Sequence, residues 1–212
     1  LDNTPFYAES GGQIGDVGIL ETPDVLFGVM DTKKTQVGVF SHSGVLRRGN
    51  LRVGDHLSAE VNKNTRLRIS RNHSATHLMN NALRKILGNH ISQRGSLVDD
   101  KKIRFDFSHD QSLSAAEVLL VEKIVNDEIM SNVKTSTNLM SFDNALSSGA
   151  IALSNEKYGD EVRVISIGTS FELCGGTHVI RTGDIGLFKI IAESAVASGI
   201  RRIEAITGDE TS

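Results

Sequence analysis

The sequence contains one cysteine, no tryptophan and two prolines in 212 residues. A single cysteine, Cys174, excludes a disulfide within the chain and favours a reducing compartment such as the cytoplasm. No apolar run approaches the ~20 residues that cross a bilayer, and the first residues lack a signal-peptide pattern, so no membrane partner is expected. Because the chain opens without methionine, as LDNTPFYAES, we expect a piece of a longer protein.

Residues 1–62 are rich in glycine and in short apolar alternations such as VGILE and LFGVMD. Turn residues recur at short intervals, and no helical period is sustained. This texture predicts a small antiparallel barrel or sandwich. We therefore assign residues 1–65 to a small Gly-rich β-barrel and residues 66–212 to a larger α+β unit.

Residues 73–87 carry apolar side chains at helical spacing, and Gly88 offers a C-terminal stop. A second helix is predicted after Ser114, which forms a capping-box pattern with Glu117. Three later runs resemble strands. They are EVRVISI (161–167), LFKIIAE (187–193) and RRIEAIT (201–207).

The net charge of −3 is unevenly distributed along the chain. Residues 63–104 carry ten Lys/Arg against Asp99 and Asp100, a local net charge of +8. Such a segment forms either a solvated basic face or a surface that binds a phosphate backbone. Charge alone does not choose between these two interpretations.

The helical segment RNHSATHLMN places His73 and His77 four residues apart. At about 100° per residue, both lie opposite the apolar stripe centred near Ala82 and Ile86. This position argues against two core histidines, and leaves a metal site or a pair of surface histidines. The glutamate that acts as a base in H-E-x-x-H metalloproteases is absent here.

The later segment FELCGGTHVI favours the metal site, because Cys174 and His178 flank two glycines and a threonine. Such a loop can turn both side chains towards one ion. Two histidines, a cysteine and a third histidine form a donor set typical of tetrahedral zinc. Four protein ligands would leave no open position, which favours a structural or positioning zinc over one that activates water.

Four blocks of the chain resemble the editing region of alanyl-tRNA synthetases and the free-standing AlaX-type editing proteins. They are TPFYAESGGQIGD (4–16), NHSATHLMNNALRKILGNHISQRGSLVDDKKIRFDFSH (72–109), CGGTHV (174–179) and GIRRIEAITG (199–208). The blocks span almost the whole chain in the order that the family has.

The resemblance implies a small β-barrel followed by an α/β editing core similar to that of threonyl-tRNA synthetase. It implies hydrolysis of tRNA(Ala) mischarged with serine or glycine, with zinc held by His73, His77, Cys174 and His178. It also places Gln93, of the ISQRGSL stretch, in the editing pocket. The expected partners are the acceptor end of tRNA(Ala) and the aminoacylation, ATP-binding and C-terminal parts of a full synthetase.

An editing pocket must accept serine and refuse alanine, and a polar group that pairs with the serine hydroxyl can do this. Gln93 and Thr76 are the candidates. We also expect contacts with tRNA from one glycine-rich loop and three arginines. These residues are Gly11, Gly12, Gln13, Arg71, Arg94 and Arg202.

Three functions remain open at this point. The first is an aminoacyl-tRNA ester hydrolase, and the second is a tRNA-binding module with a purely structural zinc. The third is a zinc hydrolase of small esters or amides, which the basic segment 63–104 disfavours. Arg202 lies on a predicted strand, where a structural ion pair is as good an interpretation as a substrate contact.

Overall fold

The structure, a computed structural model, describes residues 1–36, 38–153 and 156–211. It is an α+β fold with three antiparallel sheets and one long helix, against which two of the sheets pack. The first sheet has the strand order β3-β2-β1-β4. Its strands are β1 (Gly18–Glu21), β2 (Leu26–Lys34), β3 (Phe40–Arg48) and β4 (Ser58–Val61).

The first sheet is open, so the prediction of a small N-terminal β-barrel is wrong. Within the described ranges, β3 and β4 are its two edges and do not pair with each other. The buried residues Phe6, Leu20 and Val29 form its small core. A barrel needs an inward face on every strand, but β3 is exposed at all but one of its positions. The alternating pattern predicted short strands correctly and could not show whether the edge strands meet.

The second sheet has the order β10-β11-β6-β5, and the third has the order β7-β8-β9. The second sheet consists of β5 (Gln93–Val98), β6 (Ile103–Ser108), β10 (Phe188–Ala197) and β11 (Ile200–Thr207). The third consists of β7 (Ser136–Ser141), β8 (Glu161–Ile167) and β9 (Ser170–Leu173). All three strands predicted in the C-terminal half are therefore confirmed, as β8, β10 and β11.

The helices are α1 (Lys63–Leu87), α2 (Ala115–Met130) and α3 (Phe142–Ser147). Helix α1 begins after Asn62, whose side chain accepts a hydrogen bond from the amide of Thr65, and it ends at Gly88 with φ 117°. The capping box predicted before α2 is present. Short 3-10 turns occupy Thr182–Ile185 and Gly208–Thr211. None of the described helices is both long and apolar enough to span a membrane.

Helix α1 is buried because the second and third sheets both pack against it. Its apolar residues, among them Leu78 and Leu83, lie in one core with Phe105 of β6 and Ile165 of β8. Each such side chain contributes about 1.5–3 kcal/mol when it leaves water. The helix therefore has no solvated face along its middle turns, and its polar side is covered as well.

The segment before β1 extends the second sheet. Gln13 forms a parallel bridge with Val98, at the edge of β5. The amide of Val98 donates to the carbonyl of Gly12 (2.8 Å), and the amide of Ile14 donates to the carbonyl of Val98 (3.1 Å). Three residues further on, the buried Asp16 pairs with Arg66 of α1. The N-terminal segment is thus tied to the larger part of the molecule at two points.

Candidate functional site

The polar side of α1 presents two histidines one turn apart. The rings of His73 and His77 are nearly parallel, with centroids 5.1 Å apart and an interplanar angle of 13°. The exposed fractions of the two residues are 5% and 6%. They are therefore not surface histidines, and the chain that covers them forms the rest of the site.

That covering chain is the loop that follows β9 and contains Cys174 and His178. Gly176 crosses directly over His73, where an added Cβ would lie 2.1 Å from the ring carbon Cε1. A Cβ at the neighbouring Gly175 would meet nothing within 4 Å. The guanidinium of Arg163 holds the loop down by donating to the carbonyls of Cys174 (3.0 Å) and Gly176 (2.7 Å).

The four predicted ligands converge on one point, and all four donor atoms lie within 4.8 Å of one another. Cys174 Sγ lies 3.4 Å from His73 Nε2 and 3.5 Å from His178 Nε2. His77 Nε2 lies 3.1 Å from His178 Nε2. Tetrahedral bonds of about 2.0–2.1 Å to nitrogen and about 2.3 Å to sulfur give donor separations of roughly 3.3–3.6 Å. The cluster therefore fits a tetrahedral metal ion.

A carboxylate behind the cluster sets the orientation of one imidazole. His77 Nδ1 donates to Oε2 of the buried Glu172 (3.0 Å), which leaves His77 Nε2 free to bind a metal. Asn80 Nδ2 and Ser170 Oγ each donate to Glu172 Oε1 (3.1 Å). Sequence reasoning missed Glu172, although a glutamate between Phe171 and Leu173, two residues before Cys174, was a visible signal.

The side-chain carboxamide of Gln13 lies behind His73 in the way that the carboxylate of Glu172 lies behind His77. His73 Nδ1 lies 2.7 Å from Gln13 Oε1, and Gln13 is completely buried. The third imidazole, that of His178, has no hydrogen-bond partner for Nδ1 among the described residues.

The charges in the cluster favour metal-binding protonation states at two ligands. Burial raises the pKa of the Cys174 thiol, but the imidazoles of His73 and His77 outweigh burial and hold this pKa well below its ordinary value. Burial lowers the pKa of His178 to about 3. A thiolate and a neutral imidazole are the forms that coordinate a metal. Burial also lowers the pKa of His77, but Glu172 and the thiolate outweigh it and raise this pKa.

A small cavity of about 70 Å³ opens beside the cluster. Thr76 and Gln93 line it together with three of the four metal-ligand candidates. Thr76 Oγ1 donates to the carbonyl of Asn72 (2.9 Å), so its oxygen remains available as an acceptor. Residues from the N-terminal segment, Tyr7, Ser10 and Gly11, form another part of the wall. The predicted pocket residues and the metal-ligand candidates therefore line the same cavity.

The arginines predicted to contact tRNA lie in different environments. Arg202 forms a two-pronged ion pair with Asp106, at 2.6 and 2.8 Å. The Arg71 Nε donates to the carbonyl of Asp184 (2.9 Å), whereas Arg94 is exposed at the start of β5. Arg94 is thus the one of the three whose guanidinium has no protein partner among the described residues.

The basic segment 63–104 is partly neutralised by acids from distant parts of the chain. These ion pairs are Arg66–Asp16, Arg68–Glu210, Arg71–Asp209 and Lys102–Glu204. The positive charge of residues 63–104 is therefore partly offset on the folded surface by acidic residues from outside this segment.

Two family models match the chain. Residues 162–204 match "Threonyl and Alanyl tRNA synthetase second additional domain", and residues 1–65 match "tRNA synthetases class II (A)". Over 209 residues the chain is 62% identical to the alanine–tRNA ligase of Bordetella petrii. The chain is homologous to a segment of the alanine–tRNA ligases.

The alanine–tRNA ligases of Cupriavidus necator and Ralstonia nicotianae are each 61% identical to the chain. Each of these alignments covers 99% of the chain and 24% of the relative, so the chain spans about a quarter of the length of these alanine–tRNA ligases. The family resemblance inferred from the four sequence blocks is confirmed. The first family model includes Cys174 and His178, so two of the four metal-ligand candidates lie inside the matched region.

Proposed function

We propose that the chain is the editing unit of an alanine–tRNA ligase and hydrolyses the ester that joins serine or glycine to tRNA(Ala). The observation that carries this proposal is the shared cavity, in which a metal cluster adjoins the polar side chains of Thr76 and Gln93. An aminoacylation site for alanine cannot exclude glycine by size and rejects serine only modestly, so a second site must remove both.

We propose zinc as the metal, held by His73, His77, Cys174 and His178, in a reducing cytoplasmic setting that keeps the thiol available. One thiolate and three imidazoles form a donor set that suits zinc better than magnesium or calcium. When bound, zinc supplies a fixed positive charge beside the cavity. Glu172 holds the imidazole of His77 in the coordinating orientation, and Arg163 holds the loop that carries the cysteine.

The polar residues of the cavity recognise the amino acid that is attached to the tRNA. Gln93 and Thr76 bind the hydroxyl of a seryl group, since the carboxamide can donate and the threonine oxygen can accept. An alanyl group would leave these polar atoms unpaired, at a cost of about 1–3 kcal/mol for each buried group. An ester needs only a positioned water for hydrolysis, which explains why a glutamate between the two histidines is dispensable.

The alternative is a tRNA-binding module whose zinc has only a structural role. The convergence of four protein ligands favours it, because a closed tetrahedral site leaves no position for a bound water. The two functions differ in one measurable property, the activity of the isolated chain.

The test is deacylation of tRNA(Ala) charged with serine, glycine or alanine by the purified chain. We expect seryl esters to be hydrolysed and alanyl esters to be spared, and we expect a chelator to abolish the activity. A glycyl group also lacks the hydroxyl, but it has no methyl group, so a water can pair with the same polar atoms and we expect glycyl esters to be hydrolysed as well. Tight binding of tRNA without hydrolysis would instead support the binding module.

Replacing Gln93 with alanine should reduce the preference for seryl over alanyl esters by roughly ten- to a hundred-fold, because one buried hydrogen bond to the serine hydroxyl is lost. The measurement is the ratio of the seryl and alanyl deacylation rates on the same tRNA. Zinc content should stay at the wild-type level, since the Gln93 side chain makes no hydrogen bond to any of the four ligand candidates. An unchanged ratio would remove Gln93 from the pocket and leave Thr76 as the discriminating residue.

Binding of tRNA should weaken steeply with salt, because phosphate contacts release counterions. We expect Arg94→Ala to lower the slope of log affinity against log salt by about 1. Arg202→Ala should change the slope less, because Asp106 already neutralises Arg202. Equal slopes for the wild type and Arg94→Ala would exclude Arg94 from the phosphate contacts.

The remaining parts of the ligase, with their ATP and alanine sites, would supply further tRNA contacts.

A further inference from the structure

We infer that Gln13 is a positioning residue of the metal centre, which fixes His73 with Nδ1 protonated and Nε2 directed at the ion. The N-terminal segment thus supplies a hydrogen-bond acceptor that orients one ligand, although the four ligand candidates themselves all lie at residue 73 or later. This inference rests on the metal centre proposed above and adds a residue that contacts no metal itself.

The hydrogen bonds of Gln13 determine which atom of its carboxamide faces the histidine. The amide N–H of Thr177 can only donate, and it points at Gln13 Oε1 over 2.9 Å. The same oxygen lies 2.7 Å from His73 Nδ1, so this ring nitrogen must be the donor of the pair. Gln13 Nε2 donates to Thr177 Oγ1 (2.9 Å), which also accepts from Ser70 Oγ (3.0 Å).

One carboxamide therefore contacts both halves of the cluster. It holds His73 on α1, and it holds Thr177 between the two ligands of the loop after β9. The close approach requires a glycine, since a Cβ at Gly176 would lie 2.8 Å from Gln13 Oε1 as well as against the ring of His73. A metal-bound histidine is normally fixed in this way by an acceptor at its other nitrogen.

The backbone around Gln13 is rigid enough to give the side chain this role. Its neighbours Gly12 and Ile14 hydrogen-bond with Val98 at the edge of β5, and Asp16 pairs with Arg66 of α1. Gln13 itself is fully buried, so its carboxamide has no solvent to pair with in place of His73 and Thr177.

The test compares zinc affinity, by chelator competition, in the wild type, Gln13→Leu and Gln13→Glu. Leucine removes the acceptor, and we expect zinc affinity to fall roughly ten- to a hundred-fold. Glutamate keeps an acceptor for both His73 and Thr177, so its affinity should stay close to the wild-type value. Gln111→Leu is the matched control, because Gln111 is exposed and should behave like the wild type.

Cobalt substitution supplies a second readout that a merely structural role would not move. The absorption bands of Co²⁺ should shift in Gln13→Leu and keep their wild-type positions in Gln13→Glu. If Gln13→Leu does not fold, Gln13→Asn takes its place, since an amide that is one methylene shorter cannot reach His73 and should lose affinity too.

Equal losses of affinity in Gln13→Leu and Gln13→Glu would overturn the inference, because they would show that any change at this position disturbs the fold. Wild-type affinity and spectra in Gln13→Leu would also overturn it, while the metal centre would stand. A wild-type protein that binds neither zinc nor cobalt would overturn both the metal centre and the role of Gln13.

Discussion

Replacing Cys174 with alanine should abolish stoichiometric zinc binding and lower the free energy of unfolding by at least about 4 kcal/mol in zinc at 1,000 times its Kd. The thiolate is the only anionic donor among three imidazoles, so its loss leaves a site with much weaker attraction for a cation. The measurements are metal content after dialysis and denaturant unfolding with and without a chelator.

A chelator should destabilise the wild type to the level of Cys174→Ala and should leave that variant unchanged. Gly175→Ala is the control in the same loop, since its added Cβ meets no atom within 4 Å. If Cys174→Ala retained one zinc per chain, the four-ligand centre would be disproved.

Replacing Gly176 with alanine should cost about 1–3 kcal/mol of stability through overpacking, and should weaken zinc binding at least about tenfold through displacement of His73. The reason is steric, because the new Cβ would lie 2.1 Å from His73 Cε1 and 2.4 Å from Nδ1. Thermal unfolding of the metal-free protein measures the first effect, and chelator competition measures the second.

Gly175→Ala is again the matched control and should stay within about 0.5 kcal/mol of the wild type. The comparison separates the close approach at Gly176 from a general need for flexibility in the loop. Similar losses in both variants would show that flexibility, and not the contact with His73, explains the pair of glycines.

Local signals in the sequence predicted local structure well. The capping box at Ser114 and the stop at Gly88 each depend on residues within a few positions, and both appear in the structure. Strands β7 and β9, which flank β8 in the third sheet, were not predicted, because Ser136–Ser141 is polar and largely exposed and Ser170–Leu173 is short. The openness of the first sheet could not be predicted, since it depends on where two distant edge strands lie.

The same division holds for the site. The donor set of His73, His77, Cys174 and His178 follows from residue types and spacing, and the fold brings it together. The apolar stripe of α1 correctly separated the histidines from the core, but the sequence does not show that a loop covers them. The polar atoms behind the imidazoles also come from distant positions, since Gln13 is 60 residues from His73 and Glu172 is 95 residues from His77. The roles of these side chains depend on tertiary contacts, which the spacing of residues in the sequence does not predict.

The long separation between the ligand pairs also has a consequence for biosynthesis. His73 precedes Cys174, and His77 precedes His178, by 101 residues in each pair. At about 5–20 residues per second, a ribosome needs roughly 5–20 s to make that stretch, which leaves the helical histidines without their partners for the whole interval. We therefore expect zinc to enter only after His178 has emerged, so that metal uptake marks a late step of folding and a chain stalled before residue 174 holds no tightly bound ion.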